Sequence, residues 1–241
     1  KVIAVRPLPE NNLSGSIRLG VLKSFFGSEP VNEEINRLMA DVLAEWCSLG
    51  ATLIELDCEI KINELVSNVS VHLYELKAHL NAYLESVKAP YPNINAILSS
   101  GLHHPGIKDN LVIASQLEID SPEYAERLKK RANLRDQIRA LFAGHDLDAV
   151  IFPHQQQLVC RVGSSQLQRN GALAAITGFP SLCLPGGFST ATAEAPIGVP
   201  VGFELFGLPE SEPLLIEIGR RYEDRFTKRL APIEANWGCE F

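Results

Sequence analysis

The amino-terminal third of the chain contains an apolar run, an amphipathic segment and a second apolar run. Residues 17–22 (IRLGVL) and 51–56 (ATLIEL) each predict a buried strand. The segment between them predicts a helix that Asn32 caps, with an apolar stripe formed by Ile35, Met39, Val42, Leu43 and Trp46. Because a strand, a helix and a strand with short links form a β-α-β unit, the two strands are expected to be parallel.

The same patterns predict the elements of the remaining chain. Helices are expected over residues 69–87, 121–143, 170–177 and 211–229, with Gly144 as the stop of the second. Strands are expected over residues 149–152, 181–184 and 201–206, and Cys183 is expected to pack in the core. Residues 89–110 and 185–200, rich in proline and glycine, predict loops. The predicted fold class is α/β, with a mixed, partly parallel sheet and helices on both faces.

Composition limits the partners and the compartment. The formal net charge is −7, and the basic residues alternate with acids, which argues against nucleic acid and membranes as partners. The five cysteines include no CxxC pair, so the sequence predicts neither a zinc site nor a disulfide framework. Reduced thiols favour the cytoplasm, while two glycosylation sequons, at Asn12 and Asn68, leave secretion open.

Several short motifs occur in one order along the chain. They include residues 74–77 (YELK), 80–84 (LNAYL) and 148–153 (DAVIFP). A denser group closes the chain, at residues 170–173 (NGAL), 177–180 (TGFP), 184–187 (LPGG), 199–203 (VPVGF) and 212–215 (EPLL). Together with the β-α-β unit, these motifs resemble the carboxyl-terminal half of the amidase-signature family. The branch that they resemble most contains the peptide amidases and their fungal and bacterial relatives.

The resemblance implies amide hydrolysis without a metal or cofactor. In this family a serine attacks the amide carbonyl, a second serine relays its proton to a lysine, and water hydrolyses the acyl-enzyme. The resemblance places all three residues before Lys1, and the glycine- and serine-rich signature that carries them has no match in this sequence. Residues 1–241 are therefore expected to be the carboxyl-terminal portion of a single amidase-like domain without catalytic residues, inactive when alone.

The substrate-pocket candidates lie after the strand predicted at residues 149–152. His154, Gln155 and Gln156 follow its carboxyl end, where α/β proteins place their ligands. Ser164 and Ser165 lie further along the same loop, which the resemblance brings to the substrate. A nucleophilic role for these serines would require an activating base within reach, so a pocket-lining role is the better interpretation.

Other polar clusters have plainer interpretations. His72, Glu75 and His79 share one helix face, but their spacing is not a metalloprotease pattern, and a solvated face is the better interpretation. His103 and His104 lie in a predicted loop, where contact with solvent is expected. No metal ligand or cofactor-binding residue is predicted.

Three functional hypotheses follow. The first is a part of an active amidase whose substrate is a small amide or a peptide amide. The second is a non-catalytic binding or regulatory module derived from the same fold. The third is a residual activity located between His154 and Ser165. Because half of a sheet would expose an apolar edge and face, the chain is expected to need an amino-terminal half, a second copy of itself or a rearranged packing to be stable.

Overall fold

A computed structural model describes residues 16–230. These residues form two compact units. The first contains the residues up to Ile62 and those from Leu141 onwards, and the second contains Asn63–Ala140. No helix among the described residues is both long and apolar enough to span a membrane.

The first unit is built on a five-stranded mixed sheet. Its strands are β1 (Arg18–Leu22), β2 (Thr52–Leu56), β3 (Ala149–Pro153), β4 (Ser181–Phe188) and β5 (Pro200–Phe206). They lie in the order β2-β1-β3-β5-β4. The pairs β2-β1 and β1-β3 are parallel, whereas β3-β5 and β5-β4 are antiparallel. The predicted α/β class with a mixed, partly parallel sheet is confirmed.

Two helices cover one face of this sheet. They are α1 (Glu33–Ser48) and α8 (Glu212–Arg225), and their apolar residues join those of β1, β3 and β5 in one core. Trp46 of α1 stacks on Tyr222 of α8 with ring centroids 5.0 Å apart, and Phe203 of β5 meets Tyr222 edge-on at 5.1 Å. The apolar stripe predicted for α1 is therefore the face that it buries.

The opposite face of the sheet carries an aromatic cluster. Phe25, from the turn after β1, meets Phe152 of β3 edge-on with ring centroids 4.9 Å apart. Phe179 stacks on Phe206 of β5 at 6.0 Å, just beyond the short helix α7 (Ala172–Thr177). Gly178 ends α7 in the left-handed conformation, with φ 69°.

The second unit is helical and more regular than its sequence suggested. It contains α2 (Ile62–Asn68), α3 (His72–Ser86), α4 (Ile94–Ser100), α5 (Lys108–Gln116) and most of α6 (Pro122–His145). The predicted loop at residues 89–110 is wrong over α4, which the Asn93 side chain caps by accepting from the Ala96 N–H at 2.9 Å. Three apolar residues of α4 and α5, Ile94, Leu111 and Ala114, form a buried cluster in this unit.

Three predicted boundaries are also wrong. Gly144 lies inside α6, which ends at His145, and Asp146 takes the left-handed conformation instead, with φ 53°. The Arg18 guanidinium stabilises this helix end by donating to the carbonyls of His145 and Asp146, at 2.9 and 2.8 Å. Strand β4 extends through Pro185 to Phe188, and α8 ends at Arg225 rather than near residue 229.

Candidate functional site

The loop that follows β3 is fixed to the sheet at both ends. The His154 N–H donates to the Gly202 carbonyl of β5 at 3.1 Å, and the Asn170 N–H donates to the His154 carbonyl at 3.0 Å. The Gln156 N–H donates to the Gln168 carbonyl at 3.0 Å. Residues 154–170 therefore leave the sheet and return to it at one place, the carboxyl end of β3, where α/β proteins bind ligands.

Asn170 anchors this loop from inside the protein. Its side chain is fully buried, and its Nδ2 donates to the carbonyls of Phe25 at 2.8 Å and Pro153 at 2.7 Å. Its Oδ1 accepts from Gln156 Nε2 at 3.1 Å. One carboxamide therefore satisfies three polar groups, each of which would otherwise be costly to bury.

Asn32 anchors the loop from the other side. Its Nδ2 donates to the Gln156 carbonyl at 2.9 Å and to Gln168 Oε1 at 2.7 Å, and its Oδ1 accepts from the Glu29 N–H at 2.9 Å. Asn32 occupies the predicted N-cap position of α1, but its side chain makes no capping bond to the helix because these bonds use it instead. Gly27 is required here, since a Cβ at that position would lie 2.0 Å from the Asn32 side chain.

A buried carboxylate connects the start of the loop to β4. Glu204, on β5, is only 3% exposed; its Oε1 lies 2.6 Å from His154 Nδ1, and its Oε2 accepts from the Ser181 hydroxyl at 2.6 Å. The His154 side chain itself is 42% exposed. Gly171 lies against the His154 and Glu204 side chains, and a Cβ at position 171 would lie 2.9 Å from the imidazole Cε1 of His154.

Glu204 favours the protonated form of His154, chiefly through their hydrogen bond. The hydrogen bond to the carboxylate raises the pKa of His154 above its usual value, and the negative charge adds to this effect, while burial of the imidazole opposes it. The imidazole therefore keeps its proton to a higher pH than a free histidine. The Ser181 hydroxyl donates to Glu204 and not to the imidazole, so the arrangement differs from a Ser-His-acid triad, in which histidine activates the serine.

A small cleft lies beside the start of the loop. Its volume is about 60 Å³, and its apolar walls are formed by Ile35, Leu158, Val159, Pro200 and Val201. His154, Gln155 and Gln157 contribute its polar walls. The Oε1 atom of Gln155 is buried and has no hydrogen-bond partner among residues 16–230.

The five predicted pocket residues occupy three different environments. His154 and Gln155 line the cleft, whereas Gln156 belongs to the hydrogen-bond network of Asn32 and Asn170. Ser164 and Ser165 are exposed near the far end of the loop, where the Ser164 carbonyl accepts from Cys160 Sγ at 3.2 Å. The structure brings the first three together and leaves the two serines apart from them.

The sequence interpretation missed the residues that position His154. Glu204 and Ser181 were not candidates, although an acid inside the apolar run of residues 201–206 is a signal of a buried functional carboxylate. Cys183 was expected in the core, and this is wrong: it is exposed on the edge strand β4, opposite Glu204 in register. Side chains alternate along a strand, and Leu184 takes the core-facing position next to it.

The remaining polar clusters form no metal site in the part of the chain that the structure describes. Glu75 accepts from the Tyr124 hydroxyl at 3.0 Å, and His72 Nδ1 bonds to the Ser70 hydroxyl at 2.7 Å. His104 Nδ1 accepts from the Gly106 N–H at 3.0 Å. The contacts of His72 and His104 are local, whereas the bond between Glu75 and Tyr124 joins α3 to α6.

Comparison with known proteins identifies relatives along nearly the whole chain. Mandelamide hydrolase of Pseudomonas putida is 26% identical over 229 residues, which cover 86% of this chain and 43% of the relative. One subunit of the glutamyl-tRNA(Gln) amidotransferase of Myxococcus xanthus is 25% identical, with 90% and 47% coverage. The chain therefore spans less than half the length of these curated relatives.

Solved structures match the fold. The native peptide amidase of Stenotrophomonas maltophilia superposes with a TM-score of 0.71 and 25% identity, over 90% of this chain and 44% of that one. A fatty acid amide hydrolase shares the fold, with a TM-score of 0.66 at 17% identity. The amidase family model matches residues 6–216. The chain thus belongs to the amidase family, the amidase-signature hydrolases.

Proposed function

We propose that the protein hydrolyses a carboxylic or peptide-terminal amide to an acid plus ammonia or an amine. The observation that carries the proposal is the family match over residues 6–216, on a fold that it shares with a peptide amidase. Two relatives, mandelamide hydrolase and peptide amidase, are named as enzymes that act on amides. The balanced reaction is R–CO–NH₂ + H₂O → R–COOH + NH₃.

The proposed mechanism is the acyl-enzyme route of the family. A serine forms an ester with the acyl group, a second serine and a lysine move the proton to the leaving nitrogen, and water then releases the acid. We propose that these three residues lie outside residues 1–241 and that this chain is the carboxyl-terminal portion of the domain. On this proposal, its part is to supply core strands and one wall of the substrate pocket.

The geometry of the loop after β3 supports the proposal that this loop forms one wall of the substrate pocket. Two fully buried asparagines, Asn32 and Asn170, hold the backbone of the loop at the Gln156 and Pro153 carbonyls, on either side of His154 and Gln155. Glu204 orients the imidazole through Nδ1 and leaves Nε2 as the other ring nitrogen for hydrogen bonding. Pre-organised polar groups beside apolar walls are what a substrate pocket requires.

The proposal is tested by measuring products. The native protein, isolated from its source and supplied with an aryl carboxamide and a carboxy-amidated peptide, is expected to release ammonia and acid in equal amounts from at least one of them. With hydroxylamine as a competing acceptor, the hydroxamate is expected, because an acyl-enzyme partitions between nucleophiles. Absence of ammonia from both substrates would contradict the proposal and favour a non-catalytic module of the same fold.

A substitution at His154 distinguishes a residue of the pocket wall from a catalytic residue. His154→Gln in the whole protein is expected to raise KM more than it lowers kcat, because a pocket wall contributes binding rather than bond breaking. Loss of kcat by a factor of about 10³ or more would instead locate the chemistry between His154 and Ser165.

A further inference from the structure

Two loops of the first unit are joined by an exposed ion pair. Arg161 lies in the outer segment of the loop after β3, which is residues 158–167, and Glu194 lies in the β4–β5 loop, which is residues 189–199. The Arg161 Nη2 atom donates to both carboxylate oxygens of Glu194, at 2.7 and 2.8 Å. The ion pair therefore connects two segments whose charged residues are 33 positions apart in the sequence.

The cleft takes part of its lining from the outer segment and part from the strand that follows the β4–β5 loop. Leu158 and Val159 are the first two residues of the outer segment, whereas Pro200 and Val201 begin β5, and all four line the cleft. The width of the cleft therefore depends on where the outer segment lies relative to the start of β5.

The β4–β5 loop is the more firmly held of the two. Its Thr190 hydroxyl and N–H both donate to Glu34 Oε1 of α1, the hydroxyl at 3.0 Å. The Ser189 N–H donates to the Val199 carbonyl at 2.9 Å, and the Val199 N–H donates to the Ser189 hydroxyl at 2.8 Å. Hydrogen bonds from Arg37 and Thr190 lower the pKa of Glu34 to about 2, so this anchor stays charged at neutral pH.

The outer segment is held largely by itself. In the part of the chain that the structure describes, the hydrogen bonds of residues 159–167 stay within the loop after β3, apart from those of Arg161 to Glu194. Three of its apolar side chains are more than half exposed: Val159, Val162 and Leu167. Segments with few buried contacts open at a lower free energy than the rest of a protein.

We propose that the outer segment is a gate of the cleft and that the ion pair between Arg161 and Glu194 holds this gate closed. The two side chains are 81% and 72% exposed, so salt screens their attraction. Exposed ion pairs of this kind shift an equilibrium by about two- to fivefold. The closure is therefore weak, and it is loosened by ionic strength. The inference goes beyond the proposed function, because the gate opens and closes without a substrate.

Hydrogen exchange followed by mass spectrometry measures the opening. In Glu194→Gln at low ionic strength, the amides of residues 158–167 are expected to exchange about two- to fivefold faster than in the unmodified protein. Glu194 lies outside this segment, so the intrinsic exchange rates of its amides do not change. The matched control is Glu223→Gln, which removes an ion pair with Arg229 and is expected to leave the outer segment unchanged. Unchanged exchange in Glu194→Gln would overturn the gate.

Salt and a charge exchange identify the ion pair as the cause. In roughly 1 M NaCl, where the Debye length is about 3 Å, the unmodified protein is expected to exchange as fast as Glu194→Gln, and the variant is expected to respond little. The double variant Arg161→Glu, Glu194→Arg restores a pair of opposite charges and is expected to regain the protection that Arg161→Glu alone loses. No recovery in the double variant, or an equal salt response with and without Glu194, would overturn the proposal. Peptides of α1 show in each case that the fold is kept.

A thiol on the cleft wall tests whether the cleft opens with the segment. Leu158→Cys places this thiol at a half-buried position that lines the cleft, and Cys47, exposed on α1, gives a reference rate in the same sample. Labelling by iodoacetamide, resolved by peptide mass spectrometry, is expected to be about two- to fivefold faster at position 158 when Glu194→Gln is added. Equal rates would restrict the motion to the tip of the loop and overturn the gate.

Discussion

Replacing Asn170 by leucine is expected to lower the free energy of unfolding by about 3–5 kcal/mol. Leucine has the same number of side-chain heavy atoms as asparagine, so it leaves no cavity, and the loss comes from the missing hydrogen bonds and from methyl groups placed at hydrogen-bond distance from polar atoms. Leucine removes the donor for the Phe25 and Pro153 carbonyls and the acceptor for Gln156 Nε2. The first two bonds are buried and the third is partly buried. Urea unfolding followed by tryptophan fluorescence measures the change, with Trp46 reporting from the core.

The control for this variant is Gln157→Leu in the same loop. Gln157 Nε2 donates to the Leu167 carbonyl at 3.2 Å in an exposed hydrogen bond, so its loss is expected to cost no more than about 0.5 kcal/mol. Equal, small effects of both variants would contradict the account, because they would show that the base of the loop is not held by Asn170.

Replacing Glu204 by glutamine is expected to cost about 2 kcal/mol at pH 6 and less at pH 9. The value is reduced from that of a fully buried ion pair because His154 is 42% exposed and solvent screens its charge. The pKa of His154 is raised in the folded state, so its interaction with Glu204 is fully present below the unfolded value of about 6.5. That stabilisation is lost as the pH rises through the folded-state pKa.

Ser181→Ala is the matched control for the pH dependence. It removes the other hydrogen bond of Glu204, from a hydroxyl that does not titrate, so its cost is expected to be about 1 kcal/mol at both pH values. Denaturation curves at pH 6 and pH 9 measure both variants. If Glu204→Gln cost the same at the two pH values, the carboxylate would not be what holds the proton on His154.

The sheet was predictable because its signals are local. The alternation of apolar runs and the stripe on α1 lie within short windows, and both were found in the unit that contains β1, α1 and β2. The partly parallel arrangement follows from the chain geometry of a β-α-β unit. The order β2-β1-β3-β5-β4 has no comparable local signal, since it depends on which strands pair across long stretches of chain.

The helical unit was harder to predict because α2, α4 and α5 are short, with 7, 7 and 9 residues. Segments such as α4 contain too few turns to show a clear apolar period, and nearby prolines and glycines suggested loops instead. At Asn93 the cap that begins α4 was present in the sequence, but without a long periodic segment after it.

The candidate site was predictable only where it follows the sheet. His154, Gln155 and Gln156 were found because they come directly after a buried strand. Their partners were not, because Glu204 lies 50 positions from His154 in the sequence and Asn32 lies 124 positions from Gln156. Polar residues that lie far apart in sequence acquire their roles only through the pairing of the strands and loops that carry them.

The most direct test of the account is to locate the nucleophile. The native protein would be treated with a serine-directed fluorophosphonate, and its intact mass and labelled peptide would be determined by mass spectrometry. We expect one adduct per molecule, loss of ammonia release, and a labelled serine that lies outside residues 1–241. An adduct on Ser164, Ser165 or Ser181, or no adduct in a protein that still hydrolyses amides, would contradict the account.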